Sequence, residues 1–231
     1  MKILLLAIIL IFGFNSTAAA EERIPIISVN GEGVVEVAPD RATISVGVVN
    51  RDKNAAKVQS DNARIASDII KAVSALGIDK KNIRTGNYSF HQYYRQDNNK
   101  RVAEGYEANN TVTIIIDDLN LVGKVIDAAL KNGANNIDSL EFGIKDKGNL
   151  QNEAIRLAVR DARAKAEVVA AELGKKIIGV INVSVNSGYI SAPRANKMFA
   201  AAEMDMAVKT PIESGTLSCS ASVHVEFEIS K

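Results

Sequence analysis

Few residues in this chain have types and spacings that could do chemistry. Gly31 and Gly33, in Val29-Asn30-Gly31-Glu32-Gly33-Val34, are spaced as in a loop that cradles phosphate. A dinucleotide fingerprint needs a third glycine and a helix opening at the loop, so that amide dipoles meet the phosphate. Here Gly33 runs into Val34-Val35-Glu36-Val37, a strand-forming stretch. The glycines therefore read as a bulge or a close backbone approach near the start of a strand. No Walker sequence, G-x-S-x-G or H-E-x-x-H occurs.

His224, Glu226 and Glu228 alternate along one strand, adjacent members roughly 7 Å apart by strand rise. Two of them could share a divalent ion with a partner chain, which would make a metal- or ligand-binding enzyme the alternative reading. A structural zinc site wants four convergent ligands, and a solvated strand face explains the pattern without a metal. Cys219 is the lone cysteine. It falls on the apolar face of the alternating run 217–229, where a thiol behaves as a small buried hydrophobe. In Asp161-Ala162-Arg163-Ala164-Lys165-Ala166-Glu167, Asp161 and Lys165 form an exposed i,i+4 pair, and Ala162 and Ala166 allow close helix-to-sheet packing. Asn87 to Arg95 is an aromatic strand. Alternation sends Tyr88 and Phe90 to one face, His91 and Tyr93 to the other. Tyrosines beside an arginine suit a protein contact, so Tyr88, Phe90, Tyr93, Tyr94 and Arg95 are the expected partner or oligomer surface. No catalytic residue, cofactor-binding residue or metal ligand is expected.

These side chains need elements to position them. Strands are expected at 26–37, 42–50, 83–94, 105–116, 137–145, 177–186 and 217–229. Pro39, with Ala38 and Asp40, marks a hairpin corner after the first. Helices are expected at 54–76, 119–132 and 150–173, each followed by a glycine. The inward stripe of the third is Ile155, Ala158, Val159, Ala162, Ala166, Val169, Ala170 and Leu173. The order strand–helix–strand–strand occurs twice, over 42–116 and 137–229, with the short helix as linker. The expected fold is α+β: two βαββ half-repeats plus a linking helix, the helices covering one face of their sheets. The tract 187–214, with Pro193 and Pro211, is longer than an ordinary connection.

The first twenty residues read as a secretory signal peptide. Lys2 precedes an apolar run, and Ala18-Ala19-Ala20 supplies a small-residue cleavage site, with the cut between Ala20 and Glu21. Twelve apolar residues span roughly 18 Å as a helix, short of a bilayer core. The expected product is residues 21–231, with no transmembrane anchor after signal removal. Lys2 is the only charge lost, so 27 Lys+Arg face 27 Asp+Glu. A neutral chain has no basic excess to release counterions, which argues against nucleic acid. A lipid-facing barrel needs an apolar outer face, and the alternate residues here are Ser, Thr, Glu and Lys.

Several stretches, taken in order, resemble a known family. They are Ile27-Ser28-Val29-Asn30-Gly31-Glu32-Gly33 with Val37-Ala38-Pro39-Asp40, Ile83-Arg84-Thr85, Gly105-Tyr106-Glu107-Ala108, Asp161 to Glu167, and Thr210-Pro211-Ile212-Glu213-Ser214-Gly215. The set is similar to bacterial SIMPL-domain proteins, a domain of unknown function that includes periplasmic oxidative-stress-defence proteins and periplasmic immunogenic, outer-membrane-associated antigens. The resemblance implies a periplasmic, non-enzymatic protein with two βαββ motifs and a further helix. Some members form ring-like or channel-like homo-oligomers, so a homo-oligomer is expected here, and an envelope protein is the expected partner. No catalytic residue is carried over by the resemblance. Ser214 stands where the pattern has glycine directly after Pro-Ile-Glu.

Overall fold

The computed structural model describes residues 24–97, 100–191 and 212–231. The expected signal segment 1–20, the cleavage site expected at Ala20-Glu21, and most of the tract 187–214 lie outside the described residues. Seven strands and three α-helices follow the chain as β1 (Ile26–Val37), β2 (Arg41–Asp52), α1 (Ala55–Ala75), β3 (Ile83–Asp97), β4 (Lys100–Ile116), α2 (Val122–Lys131), β5 (Asn136–Gly143), α3 (Lys147–Glu172), β6 (Ile177–Ser191) and β7 (Leu217–Ile229). Asn54 caps α1 by accepting from the Lys57 amide, and Asp146 caps α3 by accepting from the Asn149 amide. Both long helices stop at a left-handed glycine, Gly77 and Gly174.

The strands form two antiparallel sheets, ordered β1-β7-β6 and β3-β4-β2-β5. The hairpin expected at Pro39 is not formed. The chain turns there from one sheet to the other, because β1 pairs with β7 over its whole length while β2 lies between β4 and β5. Asp40 fixes this crossing. Its amide donates to the Gly143 carbonyl at 3.1 Å, and its carboxylate accepts from the Lys145 amide at 2.8 Å. The sheets also do not divide at the half-repeat boundaries: β5 joins β2, and β1, outside both halves, joins β7.

Each sheet buries one face. In the four-stranded sheet, Ala42, Ile44, Val46 and Val48 of β2 and Val112, Ile114 and Ile116 of β4 pack beneath α1 and α2. Ile212 of the last connection also packs on this core. Asn62 sits inside it, fully buried; its Nδ2 donates to the Val48 carbonyl (3.0 Å), Asn50 Oδ1 (3.0 Å) and the Ala108 carbonyl (3.4 Å). The helix is thus tied to the sheet through backbone oxygens. The three-stranded sheet packs alternate β7 residues, from Val223 to Ile229, under α3. Cys219 is fully buried on this face, and burial pushes its thiol pKa up, as its place on the apolar alternation suggested.

The buried residues of α3 are Ala154, Ala158, Ala162, Ala166 and Ala170, a stripe at strict spacing of four. Val159, Val169 and Leu173, expected on the inward face, are exposed. The reason is the partner surface. A Cβ on Gly31 would lie 2.0 Å from the Ala158 carbonyl oxygen, and one on Gly33 would lie 2.0 Å from that of Ala154. The helix backbone rests on the strand backbone, and only alanine fits between them. The paired glycines serve close approach, one of the two roles their setting allowed.

This contact gives a direct expectation. Gly31→Ala drives a methyl group into the backbone of α3 at Ala158 and Ala162, so overpacking should cost about 3 kcal/mol. Urea unfolding of residues 21–231 checks it; a loss below about 0.5 kcal/mol would show that α3 can lift without penalty.

Candidate functional site

The long β3–β4 hairpin, whose paired residues run from Ile83↔Ile114 to Asp97↔Lys100, presents an exposed, ordered surface. Residues directly opposite in an antiparallel pair share a face. Tyr88 faces Asn110, Phe90 faces Ala108, Gln92 faces Tyr106 and Tyr94 faces Ala103. Ala108, Val112 and Ile114 are buried residues of the helix-covered face. Tyr88, Phe90 and Tyr94 therefore continue the core face of the sheet outward. Helix α1 packs on β2 and β4, and β3 is the sheet edge, so no helix among the described residues covers this extension. Tyr88, Phe90 and Tyr94 keep 50%, 40% and 44% of their surface exposed.

The aromatic rings are ordered by one another and by cations. Phe90 and Tyr106 stack with centroids 5.8 Å apart and planes 14° apart. The Arg101 guanidinium lies 4.7 Å from the Tyr94 ring centroid, and Tyr94 donates its hydroxyl to Gln92 Oε1 at 2.9 Å. Arg95 points to the other face, near Glu104 (3.7 Å) and Asp97 (4.0 Å). So of the five residues expected as a contact surface, the structure brings Tyr88, Phe90 and Tyr94 to one open face. Tyr93 and Arg95 are on the opposite one.

That opposite face holds a charged brace. Glu107 accepts from Arg51 Nε at 2.5 Å through one oxygen, and its other oxygen is 3.7 Å from His91 Nε2. Hydrogen bonding to Glu107 holds the Arg51 pKa above its ordinary value. Arg51 also lies 5.0 Å from the centroid of the Tyr93 ring. Tyr93 is opposite Gly105, where a Cβ would crowd that ring at 3.1 Å. Arg51, His91 and Glu107 come from three adjacent strands, so the brace stiffens the root of the hairpin.

The other candidates resolve differently. His224, Glu226 and Glu228 alternate on the uncovered face of the three-stranded sheet, as expected. His224 Nδ1 is 2.8 Å from Asn30 Oδ1. Among the described residues no three His, Cys, Asp or Glu side chains converge as metal ligands. Asp161 and Lys165 are joined at 2.7 Å, and the structure adds a role that spacing did not show. Asp161 accepts from the Glu32 amide at 2.8 Å, while Lys165 donates to the Asn30 carbonyl at 3.1 Å. The pair takes the place of a neighbouring strand along the free edge of β1, beside Gly31, and so blunts that edge.

The fold and this surface describe an α+β protein with two open antiparallel sheets and a stiffened aromatic hairpin. The chain belongs to the SIMPL family, described as proteins of unknown function (DUF541), whose model matches residues 27–227. It is 28% identical over 212 residues to the 26 kDa periplasmic immunogenic protein of Brucella melitensis, covering 88% of this chain and 84% of that one. It is also 28% identical over 240 residues to an uncharacterized protein YggE of Edwardsiella ictaluri, covering all of both chains. The Escherichia coli K12 YggE is 28% identical over 235 residues, 99% of this chain and 94% of that one.

Hydrogen bonding from Lys165, and then from the Glu32 amide, holds the Asp161 carboxyl below the usual range. A depressed folded pKa adds stability that is present above the unfolded value of about 3.9 and lost as pH falls through the folded one. Asp161→Asn should therefore lower the melting temperature at pH 7, with the gap to the unaltered protein closing below about pH 3. Melts from pH 7 to 2.5 test this; a gap that stays constant would mean the carboxylate charge contributes nothing.

Proposed function

We propose that this chain is a periplasmic, non-enzymatic protein that works by self-assembly and by binding envelope proteins, with the open aromatic face of the β3–β4 hairpin as its contact surface. The observation that carries this reading is the continuation of the sheet's core face into Tyr88, Phe90 and Tyr94, which stay about half exposed among the described residues. Aromatic side chains at partial exposure, ordered by stacking and by Arg101, have little conformational freedom to lose on contact.

The relatives support the setting: one is named periplasmic, and the signal-like first twenty residues agree with export. Envelope defence, against oxidative stress among other insults, is the role the family resemblance suggests. In this reading the runs 42–116 and 137–229 are equivalent β-α-β-β units, each presenting one under-covered edge strand. On β6, Val180, Val183 and Val185 pair with the buried-face residues Phe227, Val225 and Val223, yet about half of each remains exposed. That makes β6 the counterpart of β3.

Light scattering after size exclusion tests the reading on residues 21–231. The expected mass is several times that of one chain, falling towards one chain in Tyr88→Ser/Phe90→Ser/Tyr94→Ser. The melting temperature of the variant should change by only a few degrees, since the three side chains lie outside the core. A wild-type protein that stays monomeric up to about 0.1 mM, tighter than which specific assembly would show, removes the assembly claim; an unchanged mass in the variant moves it off the hairpin.

A further inference from the structure

The edge strands of the two sheets are β1 and β6 in one, β3 and β5 in the other. Unpaired peptide groups on an edge are a template for another strand, and proteins guard them with charges, bulges or short length. Asp161 and Lys165 take up the edge of β1 at Glu32 and Asn30. β6 meets β7 with three register shifts, and β5 is only eight residues long, with Asp138 and Glu141 among them. β3 differs. From Gly86 to Tyr94 it holds no Asp, Glu, Lys, Arg or Pro. From Asn87 to Asp97 it has no extra residue, since the irregularity at Tyr93/Tyr94 skips Glu104 of β4 instead. Among the described residues no strand lies on its outer side.

The pattern of β3 complements itself. Gly86 is an extra residue relative to β4, so it shifts the alternation of faces by one. Thr85, Tyr88 and Tyr94 then take the core-side face, and Arg84, His91 and Asp97 take the other. Two copies of β3 can lie antiparallel about a two-fold axis at His91, with Gly86 again the extra residue. Tyr88 then falls opposite Tyr94 and Arg84 opposite Asp97, each twice, and the faces match along the ladder. Arg84 has no ion pair among the described residues, and the cation nearest Asp97 is Arg95 at 4.0 Å. Moving the axis to Phe90 sets Arg84 against Arg95, a like-charge pair made twice. Moving it to Gln92 sets Asp97 against Asn87 and leaves Arg84 out of the ladder. Aromatic and opposite-charge pairs across a ladder stabilise it and like charges oppose it, so one register is selected.

We propose that β3 is the edge through which two copies of this chain pair, antiparallel about His91, joining two four-stranded sheets into one continuous sheet. Tyr88 of each copy meets Tyr94 of the other on the aromatic face, and Arg84 with Asp97 closes both ends. The pairing rests on the self-assembly proposed above and supplies its interface.

Cross-linking of residues 21–231 tests it. Cys219 is fully buried, so an introduced thiol is the one that reacts. His91→Cys places two thiols across the axis with Cα atoms about 5 Å apart, within reach of a disulfide. Mild oxidation should convert most of this variant to a linked dimer. Asn87→Cys alone should stay unlinked, its two copies lying roughly 27 Å apart along the ladder. Mixed with Arg95→Cys, which the register places opposite, it should link. Light scattering on dilution should show Arg84→Asp pairing about tenfold more weakly, and Arg84→Asp/Asp97→Arg restored. A multimer in which both His91→Cys and the Asn87→Cys/Arg95→Cys mixture stay unlinked overturns the pairing and leaves assembly to another surface. A protein that is monomeric at about 0.1 mM overturns both. Equal yields from His91→Cys and Asn87→Cys alone mean random collision, and overturn the pairing.

Discussion

The whole arrangement depends on one contact, the helix backbone of α3 resting on the strand backbone of β1. Gly31 and Gly33 remove the side chains that would hold the two apart, and the alanines at 154, 158 and 162 do the same from the helix. Close approach brings Asp161 and Lys165 within reach of the peptide groups of Glu32 and Asn30. The free edge of β1 is then sealed by one side-chain pair. Among the described residues β7 is then the one strand beside β1, and β2 lies in the other sheet. The glycines, the alanine stripe and the ion pair are three parts of a single device.

The same contact decides what stays open. A helix drawn tightly onto β1 and β7 reaches β6 less than either, and α1, tied by Asn62 to carbonyls of β2 and β4, lies over those strands more than over β3. Each sheet therefore carries an edge strand whose apolar side continues past its helix. On β3 that side is aromatic, and beneath it the space between strand and helix remains as a groove. The Arg51–Glu107–His91 brace supports the hairpin from behind, so the aromatic face is held by side chains of three strands instead of by a helix.

Much of this was legible in the chain. Period-2 alternation placed β1 and β7 to the residue, and the terminal glycines placed the ends of α1 and α3. Alternation along one strand also assigned Tyr88 and Phe90 to one face and Tyr93 to the other. Strand pairing was not legible, because alternation states which face a residue takes and not which strand lies beside it; hence the hairpin expected at Pro39. The inward face of α3 was misread for a related reason. Hydropathy ranks Val159 and Leu173 above Ala154, but at a backbone-to-backbone contact volume decides, and the glycines across from it were the available signal. Asn62 was missed because a polar residue on an apolar stripe looks like an interruption. Its spacing of four from Val58 and from Ala66 was the clue that it faces inward. The groove has no sequence signal, since it is a space left by two elements that do not meet.

The stretches that carry the family resemblance turn out to build the scaffold. Gly31 and Gly33 admit α3, Asp40 pins β5, and Asp161 and Lys165 close the β1 edge. Gly105 makes room for the Asp52 backbone carbonyl and the Tyr93 ring, Tyr106 stacks on Phe90, Glu107 anchors the brace and Ala108 lies under α1. Ile212 packs on the larger core. Each has a packing or backbone role, so these residues of the resemblance are explained by the fold they build. What distinguishes the action of this chain must then come from side chains the scaffold presents but does not need. Tyr88 is of that kind: it is half exposed on the open face and takes no part in the ring stack, the brace or the helix contacts.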